Sequence, residues 1–249
     1  MAESERPAAV GIARSLRIYH RDAVRVRRMD ALNALFVRPG SLAFDIGAHV
    51  GDRVASFRRL GARVVAVEPQ PAAFRALRLL FHRDAEVMLL PAAVGAATGS
   101  IAFHVNTRNP TVSSASPSFM AAAGQTRGWQ DERWDRVINV PLLTLDDLIA
   151  RHGVPDFAKI DVEGFEPDVI AGLSRPLPAL SFEFTTMQRD KALEALGLLV
   201  QLGGYVFGLS VGERHVLHLR KWVSADEAAA LLRDAPDEWN SGDVYARLA

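Results

Sequence analysis

Cysteine is absent from all 249 residues, which excludes a disulfide framework, a thiolate nucleophile and any zinc site built on cysteine. Lysine is nearly as scarce, with Lys159, Lys191 and Lys221 against a background of arginine. That is a compositional bias rather than a phosphate-binding patch, because 29 basic and 29 acidic residues balance to a formal net charge of zero. With no net field to attract phosphate, neither nucleic acid nor an anionic membrane is an expected partner. Long apolar runs are missing, so no transmembrane helix is expected. The charged start Met-Ala-Glu-Ser-Glu-Arg-Pro lacks the apolar stretch of a secretion signal, and a cytoplasmic protein is expected. The seven histidines show no paired spacing of the His-x-x-x-His kind, so no metal site is predicted.

What is present is enough for a core: 49% of residues are hydrophobic, and the length suits one large α/β domain. The first 30 residues are locally basic and read as one face of a solvated helix, with the stretch to about Arg17 loosely held. Val26, Met29, Leu32, Leu35 and Phe36 recur at helical spacing up to Pro39-Gly40. Residues 1–38 are therefore expected to form a helical extension ahead of a domain spanning 39–249. Strands are expected at 42–46, 63–67, 86–90, 137–143, 157–160 and 180–184. The helices 51–60, 71–81, 144–152 and 189–202 alternate with them, the pitch of a doubly wound parallel sheet. Residues 205–209 and 215–219 are expected to pair near the sheet edge, with the tail packing back on the body. The Ser/Asn/Pro-rich loop and polar stretch at 106–136 reads as a substrate lid or a tolerated insertion.

The strand Leu42–Ile46 ends in an acid and a glycine-containing turn, Asp45-Ile46-Gly47-Ala48-His49-Val50-Gly51. A second strand ends in Glu68, 23 residues after Asp45. Glycines let backbone approach a ligand, a helix N-terminus offers free N–H groups, and an acid at the second strand tip accepts from ribose hydroxyls. A NAD or FAD site would require Gly-x-Gly-x-x-Gly, and the middle glycine is missing here. Asp45 would also repel a pyrophosphate. It suits a cationic ligand instead. S-adenosylmethionine (SAM) has a sulfonium, an α-ammonium and no phosphate. Asp45 can hold the ammonium, Gly47, Ala48 and Gly51 allow close approach of the methionyl part, and Glu68 takes the ribose.

The second constellation is Lys159-Ile160-Asp161-Val162-Glu163-Gly164-Phe165-Glu166. Asp161 falls at the carboxyl end of a central strand, the side on which open α/β sheets bind ligands. It can orient or deprotonate an acceptor hydroxyl, with Glu163 or Glu166 assisting. Alternatively Asp161 and Glu163 help to hold a divalent cation, or simply cap the following helix. Glu183 shares a strand face with Ser181 and reaches either the substrate cleft or a buried hydrogen bond. His49, inside the first loop, can approach cofactor or acceptor.

With both constellations in place, the chain resembles the FkbM family of SAM-dependent methyltransferases. The matching stretches are Phe36–Gly40, Phe44–Asp52, Val67-Glu68-Pro69, Ala92–Gly95, Thr144–Leu148 and, most specifically, Lys159–Glu166. The resemblance implies a seven-stranded Rossmann-like sheet with a reversed last strand. It implies in-line methyl transfer to a hydroxyl of a small molecule, sugar or polyketide-type product, leaving S-adenosylhomocysteine. It assigns the cofactor role to Asp45, Gly47, Ala48, Gly51 and Glu68, with Asp84 or the Ala93-Val94 backbone bordering the adenine. His49 departs from the pattern, which more often has asparagine there. Rival readings are a nicotinamide-dependent oxidoreductase, a non-catalytic protein on the same fold and a nucleic-acid methyltransferase.

Overall fold

A computed structural model of the chain describes residues 6–249; the charged start read above lies largely outside the described residues. Two helices open it, α1 (Arg6–Arg21) and α2 (Ala23–Asn33). Then come β1 (Leu42–Ile46), α3 (Asp52–Arg59), β2 (Arg63–Val67), α4 (Pro71–Phe81), β3 (Val87–Leu90), β4 (Ala93–Val94) and β5 (Gly99–Val105). After α5 (Pro117–Gln125) follow β6 (Arg136–Leu143), α6 (Leu145–His152), β7 (Phe157–Ile160), α7 (Glu166–Ala171), β8 (Ala179–Thr185) and α8 (Arg189–Leu202). The last elements are β9 (Tyr205–Val211), α9 (Ala225–Arg233) and β10 (Ser241–Leu248).

Seven strands form one sheet in the order β3-β2-β1-β7-β8-β10-β9. The first five run parallel, and β10 lies antiparallel between β8 and β9. This is the doubly wound sheet with a reversed last strand that the resemblance implies. Central strands covered on both faces read as unbroken apolar runs, and β1 is buried at every position. One face carries Phe44, Ile160, Phe182 and Phe207 against Leu148, Val169, Leu199 and Leu232 of α6 to α9. The other carries Ala43, Val64, Phe157 and Tyr245 against Leu32 of α2, Phe57 of α3 and Leu77 of α4. A second sheet, β4-β6-β5, packs its own small core around Phe103 and Val140.

Local chemistry sets the boundaries. Pro71 sits in the first turn of α4, and Thr144 with Asp147 closes a full capping box on α6, which fixes the starts of the helices expected at 71–81 and 144–152. Several expectations change. The opening segment is not loose within the described residues: α1 runs to Arg21, and its Ile12 packs with Val50, Ala73 and Ala76. The second helix stops at Asn33, so Leu35 and Phe36 of the expected helical run lie beyond it. Residues 215–219 make no strand but only one isolated bridge, Ser210 to Leu217. A 3-10 turn over 212–214 and a left-handed backbone at His215 (φ +51°) break the extended run there. The partner of β9 is instead β10, the tail. No helix among the described residues is long and apolar enough to cross a membrane.

Candidate active site

A cleft of about 980 Å³, counting its open mouth, lies over the carboxyl ends of β1, β2, β7 and β8. Of the residues expected there, Asp45, Gly47, Ala48, His49, Glu68, Ala93, Val94, Asp161, Glu163 and Glu183 line it. The expectations for Asp84, Gly51 and Glu166 need correction. Asp84 precedes β3, at the amino ends of the strands and so on the wrong side of the sheet. Its carboxylate accepts from Arg58 Nε at 2.7 Å. Gly51 caps α3 with φ +79°, and a Cβ there would strike Leu77 and Phe81 of α4 rather than the cleft. Glu166 is buried, and its Oε1 accepts from the N–H groups of Val162 (3.1 Å) and Gly164 (3.3 Å). It staples the turn after β7. Burial pushes its pKa up to about 7.

One end of the cleft is built from two strand tips. Asp45 is 1% exposed, and its Oδ2 has no partner. Burial, with Asp52 adding, raises its pKa to about 8, although Arg53 and Lys159 pull the other way. Glu68 is equally enclosed. Its Oε2 accepts from the His49 N–H at 2.8 Å and its Oε1 from the Gln70 N–H at 2.7 Å, which fixes the carboxylate plane. Burial outweighs those bonds and raises its pKa to about 7. Each oxygen keeps a lone pair, so the group can still accept from a vicinal diol. An orphaned carboxyl oxygen and a clamped acid on neighbouring strands fit the ammonium and ribose of SAM.

The opposite end holds three carboxylates, Asp161, Glu163 and Glu183, with oxygens within 4.8 Å of one another. Burial and then the Asp161 charge push the carboxyls of Glu163 and Glu183 well above their ordinary values. Glu163 itself is held in the left-handed region (φ +55°), and Ser114 Oγ donates to its carbonyl at 2.6 Å. Lys159, 2% exposed, reaches Asp161 at 3.3 Å and Asp243 of β10 at 2.5 Å. A cation therefore already stands beside the trio.

Sequence reading missed the groups that come from a distance. Asp243 pairs in register with Glu183, and Arg53 binds it at 3.3 Å. Glu213 accepts from Arg25 of α2 at 2.7 Å, and Arg25 also holds Asp52 at 2.9 Å. Tyr19 and Arg25 make the expected N-terminal extension part of the cleft wall. No motif flags them; Asp52 alone, an acid in a helix's first turn beside the loop, could have been found from sequence. Within 106–136, Thr111, Ser113 and Ala115 face the cleft. Trp129 and Trp134 instead pack edge-on against Phe119. Thr107 and Asn109 bind Asp135 and Glu132, so the segment is cross-tied.

The sheet order and the acid at each of two strand tips define an α/β protein that binds a nucleoside cofactor in an acidic cleft. Comparison with known proteins narrows this. A family model described as the methyltransferase FkbM domain matches residues 45–233. The 2-O-methyltransferase NoeI of Sinorhizobium fredii is 28% identical over 167 residues, covering 65% of this chain and 69% of that protein. Among solved structures, precorrin-6y C5,15-methyltransferase from Geobacter metallireducens aligns at 12% identity and TM-score 0.47, over 91% of this chain and 87% of that one. A TehB-like SAM-dependent methyltransferase from Corynebacterium glutamicum aligns at 11% identity and TM-score 0.48, over 95% and 94%. The chain belongs to the FkbM methyltransferase family, and it is a SAM-dependent methyltransferase.

Proposed function

We propose that the protein methylates a hydroxyl of a small molecule or saccharide. The observation that carries this reading is the trio Asp161, Glu163 and Glu183, set in the same cleft as the donor residues Asp45 and Glu68. Bound at the donor end, SAM supplies an already activated methyl group. The chain's own task is then to align the acceptor, exclude water and receive one proton. Asp161, beside Lys159, is the group assigned to receive it, while Glu163 and Glu183, with oxygens within 4.8 Å of it, orient the acceptor through hydrogen bonds. The name of the 28% identical relative, a 2-O-methyltransferase, supports an oxygen acceptor. An acid-lined cleft repels phosphate, which argues against nucleic acid. Lys159 supplies the positive charge that a metal would otherwise bring, and no metal is invoked. A cytoplasmic location belongs to the same reading, consistent with a chain that has no cysteine.

Asp161→Asn tests the chemistry. Single-turnover rates with a native acceptor are expected to fall by about 10²–10⁴, the range for general-base help, with donor affinity retained. Unchanged turnover would remove Asp161 from that role. Glu68→Ala tests the donor site and is expected to cost about 1–3 kcal/mol of S-adenosylhomocysteine affinity by calorimetry.

Proton linkage gives an independent check. Asp45 and Glu68 have raised values of about 8 and 7, so near pH 7 Asp45 is largely protonated. A bound ammonium favours the ionised form, so donor binding should release a proton and tighten from pH 6 to 8. The unfolded chain ionises these acids near their ordinary values. Their contribution to the stability of the ligand-free protein is therefore present at acid pH and lost as pH rises towards 8. Calorimetry in buffers of different ionisation enthalpy measures the proton count. Asp45→Asn should reduce it, and a count unaffected by that change would discard the assignment.

A further inference from the structure

The end of the cleft that holds Asp161, Glu163 and Glu183 carries more acid than its own cations match. Lys159 and Arg53 are matched by Asp161 and Asp243, and Lys159 stands closer to Asp243 (2.5 Å) than to Asp161 (3.3 Å). Arg25 is spent on Asp52 and Glu213. Glu163 and Glu183 are left over: among the described residues no cation lies within salt-bridge distance of either, and Glu183 Oε2 is enclosed without a partner. Both side chains are only partly buried and both line the cleft, so a ligand can reach them. His49 cannot serve them, because its ring nitrogens are enclosed and its backbone, left-handed at φ +45°, is tied to Glu68. Polar groups left open in a binding cleft call for a ligand group that completes them.

The chemistry of that group follows from the charges around it. Carboxylates held this close repel one another unless a cation or a proton comes between them. Burial and then Asp161 raise both carboxyls, and Lys159, which opposes the rise, is already shared between Asp161 and Asp243. The missing partner is a compact cation that donates hydrogen bonds. A primary ammonium has three N–H groups, whose acceptors at about 2.8 Å stand roughly 4.6 Å apart. That suits carboxylate oxygens lying within 4.8 Å of one another. Resting on the methyl-transfer reading, we propose that the acceptor is an amine-bearing polyol, such as an amino sugar, whose ammonium is bound by Glu163 and Glu183 while its hydroxyl meets Asp161. A divalent metal suits the place less well. It would draw on all three carboxylates and meet the Lys159 ammonium 3.3 Å from Asp161, whereas the amine needs only the two acids that Lys159 does not pair. The close spacing of the trio also sets the amine and the reacting hydroxyl on adjacent or next-but-one carbons.

The test compares three probes that differ at one carbon: the methyl glycosides of glucosamine, glucose and N-acetylglucosamine. Their affinities for the full chain loaded with S-adenosylhomocysteine are measured by ligand-observed NMR. The glucosamine glycoside is expected to bind about tenfold or more tightly than either neutral probe. In a variant carrying both Glu163→Gln and Glu183→Gln, nearly equal in shape to the wild type, that ratio is expected to fall close to one. Retained S-adenosylhomocysteine binding shows that the variant is folded, and the wild-type ratio stands as a test without it. Equal binding of the three probes, a preference for a neutral one, binding of none, or a ratio that persists in the double variant overturns the proposal. Magnesium binding to the wild type that is lost in the double variant gives the trio to a metal and overturns it too. Product analysis separates the underlying reading: with SAM as donor, the methyl group is expected on oxygen with the amine left free. A methyl group found on nitrogen would instead overturn the hydroxyl reading on which the seat rests.

Discussion

Gly47→Ala is expected to be the most damaging single methyl group that can be added to this protein. Gly47 has φ +83°, and a Cβ built there lands inside the van der Waals radius of the Asp161 carbonyl oxygen. The first loop thus lies directly on the backbone at the tip of β7, with the Gly47 and Ala48 N–H groups both donating to the Val67 carbonyl (2.9 and 3.0 Å). Neither side can retreat, because the loop is tied to β2 and Asp161 N–H donates to Ile46 O at 2.9 Å. Left-handed strain and overpacking should together cost about 3 kcal/mol or more. The expected result is a large drop in Tm together with loss of donor binding, since the same contact spaces Asp45 from Asp161. An alanine variant that melted and bound donor like the wild type would show that the two loops are free to separate.

Lys159→Met is expected to have the second largest effect. Lys159 is 2% exposed and faces Asp161 and Asp243; burial opposes its charge, yet those carboxylates raise its pKa. Removing one member of a buried ionic group leaves the others uncompensated, at a cost of about 3–5 kcal/mol. Asp243 also feels burial first, which raises its pKa, but Lys159 and Arg53 outweigh that and hold it below the usual carboxylate range. In the wild type this lowered value contributes stability above the ordinary carboxylate pKa that is lost as pH falls through the folded one. The variant lacks that contribution and tolerates a protonated Asp243. The gap between the two proteins in chemical denaturation should therefore be widest near neutrality and narrow below about pH 4. A gap independent of pH would mean that Lys159 acts by packing alone.

The parts of the fold legible from sequence are those where local and global signals agree. β2, α4, β7 and α8 lie where apolar runs, Pro71 and Gly203 place them, because buried parallel strands and capped helices write their limits locally. Asp45 and Glu68 were legible as cleft residues for a similar reason: each stands at the tip of a strand. Glu163 and Gly164 were readable as a turn, though not as consecutive left-handed residues. The departure at His49 also gains a physical reason, since asparagine and histidine are among the few residues that accept a positive φ. Asp84 misled although the parallel strand expected at 86–90 already placed it ahead of β3, at the amino ends of the strands and away from the cleft. β10 was missed as a strand because its residues, Ser-Gly-Asp-Val-Tyr-Ala-Arg-Leu, carry no clean alternation. Its place between β8 and β9 is set by pairing over long sequence separations.

That pairing also orders events during synthesis. A chain that has emerged only through α9 has β8 and β9 but nothing to bridge them, and Lys159 meets none of the Asp243 carboxylate that offsets its burial. Five parallel strands can assemble around β1 while the reaction end of the cleft is still electrostatically unbalanced. Long-range pairings of this kind form late. Asp45, Glu68 and the loop between β1 and α3 lie within residues 42–70, whereas the second carboxylate that balances Lys159 waits for residue 243. A partly made chain can thus set Asp45 and Glu68 side by side well before the charges around Asp161 are balanced.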